Sequence, residues 1–221
     1  TSVPESMVER IIDRTDGIPL FAEEMTRSLV EGGYDAGAEA DAIPDTLQAS
    51  LMARLDRLPR AARELAQVAA VIGRDVSLPL LTRTMDIDDE DIGEATESLF
   101  QSQLMLKGGY SGENGIVFRH ALIRDAAYQS LLMSRRRDIH ASVARVMEEH
   151  FPNVVETQPE LIARHDAEAG NVERAIRYWR RAGERATELV ANPEAVGHFQ
   201  NALAQLALLP AGRERDRQEL E

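Results

Sequence analysis

Apolar residues recur along most of this chain at intervals of three and four, the spacing of one face of an α-helix, and only once does the period shorten to two. Near the start, Val8, Ile11 and Ile12 form a stripe after Pro4, and Asp16-Gly17 stops it. Phe21, Met25 and Leu29 predict a second helix, with Glu23 and Glu24 in its first turn, where the helix dipole favours carboxylates. Gly32-Gly33 ends it, and the small, acidic stretch from Asp35 to Ala42 has no apolar period and reads as a linker.

From Ile43 the pattern tightens. Pro44-Asp45 opens a helix on which Leu47, Leu51, Leu55 and Leu58 share a face, and Pro59 starts another that should bury Leu65, Val68, Ala69 and Ile72. After Gly73 the spacing predicts a short helix from Leu78 to Met85, then a helix behind the acidic run DDED with Ile92, Ala95 and Leu99 inside. The period then changes to two. Leu104 and Leu106 alternate with polar partners, GGYSGENG supplies turn residues, and Ile116 and Phe118 alternate again, which predicts a β-hairpin. Helices followed by a hairpin and a further helix give the element order of a winged-helix fold, with the hairpin as the wing.

Beyond Arg137 the pattern is helical throughout. Ile139, Val143 and Val146 share a face, Phe151-Pro152 breaks the run, Pro159 opens a helix through Ala169, and Gly170-Asn171 makes a tight turn. AIRYWRRA from Ala175 and AVGHFQNA from Ala195 share alanines at both ends and aromatics at Trp179 and Phe199, which suits stacked helical hairpins. Their offset is shorter than a tetratricopeptide period of about 34 residues. The expected class is mainly α. It divides into a helical segment at 1–34, a linker at 35–43, a winged helix at 44–137 and tetratricopeptide-like hairpins at 138–221.

Charge narrows the partners. Against 25 basic residues stand 38 acidic ones, a net −13 that opposes loose association with nucleic acid or anionic lipid. The best basic cluster, Arg135 to Arg137, follows the wing helix, whereas the helix through Ile92 is acidic, so direct DNA readout is not expected. No cysteine is present, which excludes disulfides and thiolate metal sites. Without an apolar run of spanning length or a signal-type start, the expectation is a cytoplasmic protein with no membrane segment. Opening on Thr1 and ending in GRERDRQELE, the chain reads as part of something larger.

Candidate chemistry is sparse. Histidines stand at 120, 140, 150, 165 and 198, but none lies in an HExxH frame, and there is neither a GxSxG elbow nor a GxxxxGK[ST] phosphate loop. No catalytic residue is therefore assigned. The single lysine, Lys107, lies on the predicted wing. His120 sits at a strand-to-helix junction, where an imidazole can meet a phosphate or satisfy exposed amides. Gly17 and Pro19 lie between two predicted helices and suit a turn. The Arg174, Arg177, Arg180, Arg181 and Arg185 set is a solvated face whose stems cover Tyr178 and Trp179, or a docking surface for an acidic partner.

Two of these segments carry a resemblance. GIPLF at 17–21 and FRHALIRDAA at 118–127 resemble, in order and rough separation, the GLPL and MHD motifs of STAND-class signal-transduction ATPases. That resemblance implies a helical lid and a winged helix around a nucleotide. Pro19, with Gly17, would stand near the base and His120 at the ADP phosphate. The aspartate of the MHD pattern is absent, and Ala121 stands in its place. More of the chain is similar to the middle of bacterial class III adenylate/guanylate cyclases that carry an AAA-like ATPase and tetratricopeptide repeats. The similar phrases are RTDGIPLFAEEMTRSLVEGG, IPDTLQASLMARLDRL, AQVAAVIGRDVS, FRHALIRDAAYQSLL and AIRYWRRAGERA. This implies ATP or ADP, with Mg, bound on a core outside these residues, and a protein partner or self-association through the helical repeats. In the same class, DNA-binding transcriptional activators supply the alternative reading.

Overall fold

The structure, a computed structural model, describes residues 22, 23, 26, 47–109 and 114–210. The linker at 35–43 and most of the two predicted helices before it lie outside the described residues; Ala22, Glu23 and Thr26 have helical backbone.

Two helices open the continuous part, α1 (Leu47–Arg57) and α2 (Arg60–Ile72), joined at Pro59, whose φ of −50° suits the step into a first turn. Leu51 and Leu55 of α1 are buried as their spacing requires. On α2 the small residues Ala62, Ala66 and Ala69 alternate with Leu65 and Val68, so neighbouring helices approach closely on several sides. A short strand, β1 (Asp75–Ser77), follows, then α3 (Leu78–Met85) and α4 (Asp89–Gln101). Left-handed residues end each of these steps, Asp86 at φ 53° after α3 and Gln103 at φ 55° after α4. The hairpin strands β2 (Met105–Lys107) and β3 (Gly115–Phe118) complete an antiparallel sheet of order β1-β3-β2. Asp75 pairs with Val117 and Met105 with Phe118, so β3 is the central strand. Helix, strand, two helices and a hairpin around such a sheet are a winged-helix arrangement. Its core rests on Leu65, Leu81, Leu99, Leu104, Ile116 and Phe118, and full burial of a side chain of this size contributes about 1.5–3 kcal/mol.

Two details depart from the sequence reading. β1 was not expected, because a three-residue strand with one buried apolar residue, Val76, shows no period. On the wing, Leu104 and Leu106 do not share a face: Leu104 and Met105 are buried, and Leu106 is 45% exposed. The left-handed Gln103 and a bond from the Leu104 amide to the Leu99 carbonyl hold Leu104 as the end of the helical corner, so alternation starts only at Met105.

After β3 come α5 (Ala121–Gln129) and α6 (Met133–His150), then α7 (Pro152–Thr157), α8 (Pro159–Ala169), α9 (Val172–Glu188) and α10 (Asn192–Leu206). α6 is shared: it packs on α2 and α3 on one side and on α8 on the other. From there α9 packs on α8 and α10 on α9, a stack in which chain neighbours are spatial neighbours. Gly170 takes φ 86° between α8 and α9, the left-handed turn that its sequence position predicts. Trp179 stacks on His198 with centroids 5.6 Å apart, and Gly183 leaves room for Phe199, whose ring carbons lie 2.6 Å from where a Cβ would stand. Among the described residues no helix is long and apolar enough to cross a membrane.

Candidate functional site

The junction of β3 and α5 is built by the central strand running out of partners. Phe118 donates its amide to the Arg74 carbonyl and Arg119 to the Leu104 carbonyl, and there sheet pairing stops. His120 follows in extended conformation, φ −137° and ψ 146°, as the N-cap of α5. Its carbonyl accepts from the Ile123 amide, but its side chain makes no capping bond. The ring is partly buried, and Nε2 is enclosed without a hydrogen-bond partner. A buried polar atom left unmade costs roughly 1–3 kcal/mol, a cost that an ordered water or a ligand oxygen would remove.

Arg119 closes one side of this junction. Its guanidinium donates to Gln103 Oε1 at 3.0 Å and to Glu23 Oε1 at 3.2 Å. Glu23 follows the Gly17-Pro19 segment closely in sequence, so the chain just after that segment meets the residue just before His120. Gly17 and Pro19 themselves lie outside the described residues. The Arg119–Glu23 pair is half exposed and contributes on the order of 0–1 kcal/mol, enough to register two elements and not to lock them. An imidazole nitrogen that is enclosed and without a partner can donate to an anionic oxygen such as a phosphate. His120 is the residue that would hold it. Among the described residues no group of three or more His, Asp or Glu is placed to ligate a metal ion.

A second polar cluster was not foreseen as a unit. Tyr128 of α5 shares a hydrogen bond of 3.2 Å with His140 Nε2 of α6, and His140 Nδ1 shares one of 2.8 Å with His165 Nδ1 of α8. Only one of two facing nitrogens can carry the proton, so the rings cannot both be imidazolium. Burial pushes the His165 pKa down to about 3, with His140 and Arg164 adding to it. Burial also lowers that of His140, against the pull of Glu168. One layer further, Arg174 of α9 donates to fully buried Asp166 and to Glu148, while the Tyr178 hydroxyl donates to Glu148 at 2.6 Å. The Tyr178 bond, then Arg174, holds the Glu148 carboxyl below its ordinary range, and burial with Glu148 pushes Tyr178 up to about 12. These groups are bonded chiefly to one another. Of the arginines on α9, Arg174 and Arg185 are thus engaged within the stack, Arg185 at the Thr157 carbonyl, whereas Arg177 and Arg181 face solvent.

No protein-family model matches the chain. An uncharacterized protein of Rhizobium meliloti (strain 1021) is 27% identical over 202 residues, which covers 85% of this chain and 19% of that protein. The chain thus spans about a fifth of the length of the curated relative it matches.

Proposed function

We propose that this chain is the regulatory part of a larger nucleotide-dependent signalling ATPase, from an adenylate/guanylate cyclase-type protein of the cytoplasm. In this reading the segment around Gly17 and Pro19 and the winged helix close over ATP or ADP bound on a core elsewhere in the protein. His120 donates to the nucleotide phosphate, and the helical stack engages a protein partner or a second copy. The observation that carries the reading is the enclosed, unpartnered Nε2 of His120 at the end of β3, beside an arginine already tied to Glu23. Differential binding at that junction would shift the lid and winged helix between two arrangements, since a ligand moves an equilibrium only by the contacts it makes in one state and not the other.

The test is made in the longer protein that includes the phosphate loop. His120→Ala should weaken ADP retention by about tenfold, the worth of one charge-assisted hydrogen bond, while leaving thermal stability nearly unchanged. Unchanged ADP affinity would overturn the assignment.

The winged-helix arrangement itself favours a second reading, transcriptional regulation by duplex DNA binding. Against it, α4, in the position of a recognition helix, exposes Glu90, Asp91, Glu94 and Glu97. Duplex binding that weakens steeply with salt would restore that reading.

A further inference from the structure

Between α3, α4 and the wing lies an open cleft of about 680 Å³. That volume is within the range of about 300–1,000 Å³ seen in small-molecule sites. Its floor is apolar, from Ile92 and Phe100 of α4 and Ile116 of β3. Arg83 of α3 and Lys107 of β2 reach its rim. Lys107 has no hydrogen-bond or ion-pair partner among the described residues, and Arg83 bonds only the Pro79 carbonyl of its own helix, with its guanidinium 6.0 Å from the Phe151 ring. Glu97 also lines the cleft and accepts from Gln101. Two cations against one carboxylate leave this spot with a single positive charge, in a chain of net −13.

Inside the cleft is Thr96, 7% exposed, whose hydroxyl has no partner. Helical threonines ordinarily satisfy the hydroxyl on the carbonyl one turn back. Thr26, Thr82, Thr84, Thr157 and Thr187 all do so here. Thr96 is the exception among the described threonines, and it is the one enclosed beneath an open, positively charged cleft.

We propose that this cleft binds a small amphipathic organic monoanion, a carboxylate with an aliphatic or aromatic body. The body lies on Ile92, Phe100 and Ile116, the Thr96 hydroxyl donates to a ligand oxygen, and Lys107 and Arg83 balance the charge. Glu97 at the same rim selects against a second negative charge. The site is independent of the His120 assignment, and neither stands or falls with the other.

Calorimetric titration of the 221-residue chain with octanoate and with 4-phenylbutyrate tests it, alongside the neutral amide of the latter. Saturable one-to-one binding in the micromolar to roughly millimolar range is expected for at least one acid, with the amide about tenfold weaker. Lys107→Gln and Arg83→Gln should each weaken the acid but not the amide. Thr96→Val, which keeps the shape and removes the hydroxyl, should weaken binding by about tenfold in a protein that remains folded by circular dichroism. Absence of saturable binding by both acids, equal affinity for acid and amide, or unchanged affinity in Thr96→Val would each overturn the proposal.

Discussion

The most buried polar side chains of the helical stack are all paired, whereas those of the winged helix are mixed: Arg54 donates to the Ser102 carbonyl and Thr96 has no partner. In the stack, His140, His165 and Asp166 are all buried and all paired, with one another or with Tyr128, Arg174 and Asn171. In the winged helix, Thr96 is buried with its hydroxyl unmade, and His120 encloses an unmade ring nitrogen. A paired buried group gives its region one preferred arrangement and makes that region sensitive to loss of a partner. An unpaired one costs stability and offers a contact to something that arrives from outside. The paired cluster of His140, His165 and Asp166 thus favours one arrangement of the stack, and Thr96 and His120 are the two positions on which the proposed recognition rests.

The strongest way to break this contrast is Asp166→Ala. It removes the buried partner of Arg174, which keeps Glu148, and strips an acceptor from Asn171, and should cost about 1.5–3 kcal/mol in urea unfolding. A loss below about 1 kcal/mol would show that the pairing is incidental. Acid should come next. The neutral His165 of the folded state resists protonation down to about pH 3, while an unfolded histidine takes up its proton near 6.5. As pH falls from about 6.5 towards 3 the unfolded chain thus binds more protons, and stability declines with it, by about 2 kcal/mol from this residue at pH 5. His165→Gln should flatten that slope, and an unchanged slope would remove the pair as its source.

Smaller effects sharpen the other side. Thr96→Val should raise stability by about 1 kcal/mol without ligand, because an unmade hydroxyl is replaced by a methyl group of similar shape. A double-mutant cycle on Arg119→Gln and Glu23→Gln should return less than about 1 kcal/mol, as expected of a half-exposed pair that registers two elements. A larger coupling would mean that this contact, and not a ligand, holds the junction.

The sequence disclosed the helices and the wing because each has a period long enough to recognise. Leu51 and Leu55, Ile92 and Leu99, and Ile116 and Phe118 are all buried as their spacing required. β1 escaped, since Asp75 to Ser77 offers one apolar residue and takes its identity from pairing with Val117 and Gly115 far along the chain. The histidine pair escaped for a related reason: His140 and His165 lie on different helices and meet only after α6 and α8 pack, so no local spacing announces them. His120 was singled out by its place at a change of period, and the structure adds what no pattern contains, that its Nε2 is enclosed and unmade. Thr96 carried no signal at all. An isolated threonine between Ala95 and Glu97 looks like any other helical threonine until its hydroxyl is seen to have left the backbone.

One helix gives the whole arrangement a mechanical character. α6, from Met133 to His150, makes a rod about 27 Å long from its 18 residues. Near its middle Ile139 and Ser142 line one cavity with Val68 and Met85 of the winged helix, while His140 meets His165 of the stack. Held from both sides over the same turns, the rod is a shared wall, and neither neighbour can slide along it without disturbing the surface on which the other rests.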